Sequence, residues 1–331
     1  MMDSPLWTSL KQQSQATNRA FTILAPMEDV TDTVFRQIVC EYGRPDLFMT
    51  EFTNCEGLLS DKGREHVAHR LQFTHQELPL VAQIWATQVE SYVAIIPELI
   101  ERGFSGVDIN MGCPVVNVVK NGAGSGLIRD FEKTKEIIHR VREKIEEIDP
   151  HFGFSVKTRI GFTLIQPEWV TFLMQQPIDA LTLHLRTRKE MTRVPAHWEL
   201  AKEYSQMREA LNPDLVLIAN GDITSRQHIH DTKVTYGFDG AMVGRGIFED
   251  ISIFSESPTH LSRGQRLQAL RKHILLFQET WGNSKNFELL KKYFKIYLRD
   301  FPGSAQLRNE LIIMKDAEEM LQRIDSELSH V

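Results

Sequence analysis

Leu215-Val216-Leu217-Ile218-Ala219-Asn220-Gly221-Asp222 is an apolar run that stops abruptly on a polar glycine turn. A strand covered by helices on both faces reads this way, because it has no solvated side on which polar residues would alternate. Similar short runs occur at residues 21–27, 47–52, 80–85, 106–110, 154–159, 180–185 and 240–243, making eight with the quoted one. Amphipathic stretches with helical period lie between them, at 32–42, 90–101, 131–148, 167–176, 198–211 and 225–235, several opened by Ser, Thr, Asp or Pro. Only the connection around 58–76 lacks a clear helical pattern. Eight consecutive βα units are expected to close as an α/β, (β/α)8 TIM barrel over residues 21–254 rather than to form an open sheet.

Beyond residue 254 the strand signal ends. Ser, Pro and Thr cluster at 255–262 as a linker, and helices are expected at 263–279, 286–300 and 304–328, so residues 263–331 read as a C-terminal helical domain. Residues 1–20 are polar with no apolar core of a secretory signal and read as a loosely held leader. No apolar run approaches the roughly 20 residues that span a bilayer, and no membrane association is expected. Cys40, Cys55 and Cys113 form neither a CxxC pair nor a disulfide pattern, which fits a cytoplasmic setting, and no metal site is expected. The chain carries a formal charge of -6, yet residues 263–300 hold nine basic against three acidic side chains. That contrast marks the helical segment as a candidate contact for a polyanion.

In such barrels the chemistry gathers where the strands finish. Asn220-Gly221-Asp222 and Gly244-Arg245-Gly246 end the last two runs, the usual place for a phosphate, with Arg245 as a charged partner. Lys157 ends the fifth run, where an interior ammonium needs an anion, a polar ring edge or a structural carboxylate such as Glu51. Gln83 both donates and accepts, and serves either a ligand's amide edge or the core's own backbone. His184 at a strand end is equally a packed residue or a functional one. Cys113 lies between Gly112 and Pro114 in a loop, the setting for a presented thiol. An ordinary thiol is protonated at neutral pH and serves as an acid without much tuning. Burial as a small hydrophobe is the alternative, and it is the expected fate of Cys40 and Cys55.

Taken together, Ala25-Pro26-Met27, Asn110-Met111-Gly112-Cys113-Pro114, Gly122-Ala123-Gly124-Ser125-Gly126, Lys157-Thr158-Arg159, Asn220-Gly221-Asp222 and Val243-Gly244-Arg245-Gly246 resemble the tRNA-dihydrouridine synthases in order and spacing. The likeness runs across residues 21–250 and reaches Leu307-Arg308. It implies FMN as prosthetic group, with Pro26, Met27 and Glu28 along its ring, Gln83, Lys157 and His184 in contact with it, and Asn220, Gly221, Asp222, Gly244 and Arg245 at its phosphate. It further implies NADPH as reductant, hydride delivery to C6 of a uridine in tRNA, and Cys113 as the acid at C5. The target base must leave its stack to lie on a flavin, at a few kcal/mol.

Asn110, Arg159 and Arg186, with Lys291, Lys292 and Lys295 on the helical segment, are the candidate substrate contacts, and Arg188 follows on the loop of Arg186. Tyr293, Phe294 and Tyr297 among those lysines are expected to face the core. Two departures stand out. Val115-Val116-Asn117 replaces the basic residues usual after the Cys-Pro pair, and Leu185 stands where glycine is usual after the histidine. Two other readings fit parts of the pattern: an FMN barrel acting on a small molecule of the dihydropyrimidine or dihydroorotate type, and an RNA-binding barrel without catalysis. A basic appendage argues against the first, and Cys113 with Lys157 against the second. No obligate protein partner is expected.

Overall fold

The computed structural model describes residues 5–255 and 261–330. Eight parallel strands form its centre: β1 Phe21–Leu24, β2 Leu47–Met49, β3 Leu80–Trp85, β4 Gly106–Met111, β5 Gly153–Arg159, β6 Ala180–His184, β7 Val216–Asn220 and β8 Gly240–Val243. Each pairs with its sequence neighbour and β8 returns to β1, so the sheet closes. A two-residue strand at Thr53–Asn54 continues the β2 chain beside the end of β3. The expected (β/α)8 barrel is therefore present.

Helices ring it: α2 Thr33–Tyr42, α3 Val89–Glu101, α4 Phe131–Ile148, α5 Pro167–Met174, α6 Ala201–Leu211 and α7 Arg226–Val234. Their starts follow local chemistry, as with Asp32, Asp130 and Ser225, whose side chains accept from backbone N–H groups of the first turn. The weakly patterned connection after β2 folds into short helices at Cys55–Leu59 and Asp61–Val67, capped by Asn54 and Ser60. Too short to show a 3.6 period, they escape a pattern search.

The first helix, α1 Leu6–Thr17, corrects the expectation of a loose leader. Leu6, Trp7 and Leu10 are buried and pack with Phe21, Ile23, Val81, Ala180, Val216 and Ile218 at the end of the barrel where the strands begin. Trp7 is 1% exposed. A Cβ on Gly153 would sit 3.0 Å from the Trp7 indole nitrogen, so that glycine makes the room. Burying such side chains stabilises by about 2 kcal/mol each. The lower barrel interior is thus closed and apolar.

The upper interior is polar. The strand register sets Gln83 beside Asp108, Asp108 beside Ser155, Asn110 beside Lys157, Lys157 beside Thr182, and His184 beside Asn220. Side chains alternate in and out along a strand, so these positions share the inner face. A barrel whose upper core is filled with amides, a carboxylate, an ammonium and an imidazole spends stability there, which strongly marks a functional end.

The C-terminal helices are α8 Arg263–Trp281, α9 Ser304–Ile313 and α10 Ala317–Leu328. Residues 256–260, the heart of the expected linker, lie outside the described residues. The single helix expected at 286–300 is instead a turn of 3-10 helix at Phe287–Tyr293 followed by one helical turn, Phe294–Tyr297. The stretch expected as one helix at 304–328 breaks at residues 314–316, where Asp316 caps α10. Tyr293, Phe294 and Tyr297 are buried, as expected of core aromatics. Tyr293 donates to the carbonyls of Asp29 and Val30, and Trp281 and Lys285 both reach the Asp32 carboxylate, which joins this segment to the start of α2. Among the described residues no helix is long and apolar enough to cross a membrane.

Candidate active site

Two cavities open at the C-terminal end of the strands and share Pro26, Lys157 and His184 as walls. The larger, about 500 Å3, is lined by Ala25, Met27, Asn220, Gly221, Asp222, Gly244, Arg245 and Lys295 among others. The smaller, about 210 Å3, is lined by Gln83, Asn110, Gly112, Cys113 and Arg159. The strand-end residues singled out in the sequence are thus divided between two adjoining spaces.

The thiol is held by a chain of buried amides. Gln83 Nε2 donates to Asp108 Oδ2 at 2.7 Å, and a carboxylate only accepts, so the orientation of the Gln83 amide is fixed. Gln83 Oε1 then accepts from Asn110 Nδ2 at 2.8 Å. Asn110 Oδ1 in turn accepts from the N–H of Gly112 at 3.1 Å and of Cys113 at 2.9 Å. From the other side, the Ser125 amide and hydroxyl both donate to the Cys113 carbonyl, at 3.1 and 2.9 Å. Gly124, in left-handed backbone with φ +54°, lies so close that a Cβ there would meet the Cys113 carbonyl at 3.0 Å. The glycine-serine motif at 122–126 is therefore the seat of the cysteine loop.

Cys113 is 8% exposed, and its burial pushes the thiol up, with Arg159 and Lys157 drawing it back less strongly. It is a protonated acid at neutral pH with cations nearby to receive a thiolate. Cys40 and Cys55 show no such setting: Cys55 is wholly buried and Cys40 lies against the Gln76 carbonyl.

Lys157 carries the clearest ligand signal. Among the described residues its ammonium has no hydrogen bond and no ion pair, and the structural pair with Glu51 is not made, since Glu51 lies 3.8 Å from Lys285 instead. Burial, then Arg159, pushes Lys157 down to about 8. An ammonium placed there without an anion is costly, and a ligand's electron-rich edge relieves that cost. His184 is held well below its usual range by burial and by Arg159, Lys157, Arg186 and Arg245, so it is neutral. Arg186 lies 3.2 Å from its Nε2 and can only donate, which places the ring proton on Nδ1.

At the far end of the larger cavity, a Cβ on Gly244 would rest in ordinary contact with Met27 Sδ at 3.7 Å and Ala25 Cβ at 3.8 Å, so a longer side chain there would take up cavity space that this glycine leaves as a cradle. Gly221 sits at φ +126° and Asp222 at φ +52°, a tight turn that brings backbone to the cavity wall. Arg245 and Lys295 stand beside it. A glycine cradle flanked by cations, with a partnerless ammonium across from it, fits a phosphate-bearing ring.

Several expected residues occupy other places. Glu28 lines neither cavity and pairs with Arg70 at 2.9 Å. The Asp222 carboxylate accepts from Arg186 and from the Ala196 N–H, so it orients Arg186 rather than facing a phosphate. Arg186, expected at the substrate, is buried in the wall of the larger cavity. Asn110 spends its amide on Gln83 at one end and on the cysteine loop at the other. Arg159 donates to the carbonyls of Gly112, Thr187 and Met191, joining the loops after β4 and β6 across the smaller cavity. Leu185 is buried in the outer core and lines neither cavity, so glycine is not required there.

Of the lysines, Lys295 lines the larger cavity and lies over the Phe248 ring, Lys292 donates to the Asp29 carbonyl, and Lys291 pairs with Glu288. Seven of the nine basic residues at 263–300 are ion-paired to carboxylates, several from other elements. The isolated charge count overstated that surface. The sequence reading missed Asp108, which anchors the amide chain and is raised to about 6 by burial. Its alternation with Asn110 on β4 was the available signal.

A family model described as dihydrouridine synthase matches residues 23–330. The chain belongs to the dihydrouridine synthase family. It is 43% identical over 310 residues to the probable tRNA-dihydrouridine synthase 2 of Bacillus subtilis, covering 93% of this chain and 94% of that one. It is 42% identical over 311 residues to a probable tRNA-dihydrouridine synthase of Staphylococcus epidermidis, with the same coverage. A Staphylococcus aureus relative of the same description is 41% identical over 310 residues, covering 93% of each chain. As a dihydrouridine synthase family member, the chain is an oxidoreductase.

Proposed function

We propose that the protein is a tRNA-dihydrouridine synthase that reduces the C5–C6 bond of uridines in tRNA. The observation that carries this reading is the position of Cys113, a protonated thiol in a cavity that shares Pro26, Lys157 and His184 as walls with the glycine-cradled cavity. In the larger cavity Gly221, Gly244 and Arg245 would hold the phosphate of FMN, and Lys157 would meet its ring edge. That group, once reduced by NADPH, would supply the hydride for C6 of the pyrimidine.

The protein's part begins with exclusion and orientation. The smaller cavity admits one flat base, so the target uridine enters unstacked from its neighbours. Addition at C6 leaves enolate-like charge on the C5–C4–O4 unit. Arg159, on the wall of that cavity, is placed to stabilise that charge. The Cys113 S–H bond breaks as a C–H bond forms at C5, and the electron pair stays on sulfur. Arg159 and Lys157 lower the energy of that thiolate, which regains its proton from solvent. Gln83, Asp108 and Asn110 act through the loop, holding the sulfur in place.

The test uses purified protein. Flavin released on denaturation is identified by mass spectrometry, and tRNA lacking dihydrouridine is assayed for it after incubation with NADPH. The expected result is FMN and new dihydrouridine at defined positions. Protein that retains FMN and reduces a free pyrimidine but not tRNA would instead favour a small-molecule oxidoreductase.

A further inference from the structure

On the thiol side of the barrel mouth, two guanidiniums flank one aromatic ring. The Arg129 guanidinium carbon lies 4.4 Å from the centre of the Phe162 ring, and that of Arg188 lies 5.4 Å from it. The loop carrying Arg188 is fixed to the Phe162 loop by backbone bonds from Arg188 to Gly161 and from Lys189 to Phe162, both 2.9 Å. Arg188 also donates to the carbonyl of Pro114, the residue after Cys113, at 3.3 Å. The cluster therefore borders the cavity that holds the thiol.

Neither arginine has an ion pair among the described residues. The carboxylates beside them are engaged: Asp130 caps α4 by accepting from Lys133, and Glu190 accepts from the Thr187 N–H and lies 3.0 Å from His197. Arg188 Nε is buried with no hydrogen-bond partner. Two like charges gathered about one ring, with donors unused and no carboxylate supplied, form a site for an anion. The contrast with residues 263–300, where carboxylates neutralise most cations, sharpens this.

We propose that Arg129, Phe162 and Arg188 form a phosphodiester clamp that grips the RNA backbone next to the nucleotide entering the Cys113 cavity. This rests on the reading of the substrate as RNA. It also answers the departure at Val115-Val116-Asn117: cations absent from that loop are provided by the loop after β6 and by the Gly124–Arg129 turn. Planar guanidiniums bind a phosphate by two parallel N–H bonds, and the ring beneath them holds them in one orientation before RNA arrives.

The test measures binding of a fluorescent tRNA transcript to the flavin-loaded protein across a salt series, for the parent and for Arg129→Gln, Arg188→Gln and the double variant. The double variant is expected to bind about ten-fold more weakly near 0.1 M salt and to lower the salt slope by about 2, with bound flavin unchanged. Arg129 is exposed, so Arg129→Gln keeps the test open should changes at Arg188 disturb folding, and alone it should lower the slope by about 1. Slopes equal to the parent's would overturn the clamp. Parent protein that makes dihydrouridine alongside such equal slopes loses only this inference, whereas a parent that neither binds nor modifies tRNA loses the underlying reading.

Discussion

The two cavities at the barrel mouth share three wall residues and differ in nearly everything else. The larger is bounded by glycine turns and by the cations Arg245, Arg186 and Lys295, and the glycine at 244 leaves space that any side chain would fill. The smaller is bounded by a thiol, amides and one arginine, and its loop is seated by a chain of hydrogen bonds that ends on Asp108. Under the proposed function, the first would retain a phosphate-bearing group through many turnovers, and the second would present an acid to a base that comes and goes. The barrel would thereby assign retention to the ends of β7 and β8 and chemistry to those of β4 and β5.

The two cavities differ most in their dependence on the sulfur. Cys113→Ala is expected to lower dihydrouridine formation by about 100-fold or more while the protein stays yellow and still oxidises NADPH, because a missing general acid affects the thiol cavity alone. Gly244→Val reverses the pattern. The added side chain occupies the cradle, and flavin affinity should fall about 10- to 100-fold, read as flavin per protein after dialysis, with the Cys113 loop intact.

Lys157, belonging to both cavities, sharpens the comparison through pH. Its pKa is depressed to about 8, so without cofactor the folded protein holds fewer protons than the unfolded chain above that value. The charge therefore destabilises at neutral pH, and the penalty relaxes as pH rises through the folded value toward the usual lysine range. A bound electron-rich ring edge restores a partner and raises the pKa again. Flavin binding near pH 9 should then take up a proton, measured by calorimetry in buffers of different ionisation heat, and Lys157→Met should abolish the uptake. The smallest effect belongs to the helical segment. Neutralising Lys291, Lys292 and Lys295 together should lower the tRNA salt slope by about 1, since Lys295 alone stands beside the cavity mouth without a hydrogen-bonded partner among the described residues.

The strands were legible because residues such as Leu215–Ala219 are apolar without alternation, and the site was legible because polar residues end those runs. What escaped depends on packing across distant segments. The docking of α1 needs Trp7 to find the space above Gly153, and no local pattern announces that partner. The basic excess at 263–300 is real along the chain, yet Glu41, Asp325, Glu327 and Glu249 come from elsewhere to meet it. Arg129, Phe162 and Arg188 lie on three separate loops and become a cluster only in the fold. Glu28 shows the opposite failure: it follows the Pro26-Met27 turn in sequence, but its side chain turns outward to Arg70.

The division of labour between the cavities is tested most directly by the alkylation rate of the Cys113 thiol, followed by mass spectrometry of its peptide, in protein without flavin, with flavin, and with flavin and tRNA. Flavin should leave the thiol reactive, and tRNA should then shield it. Shielding by flavin alone, with no further change on adding tRNA, would contradict that division.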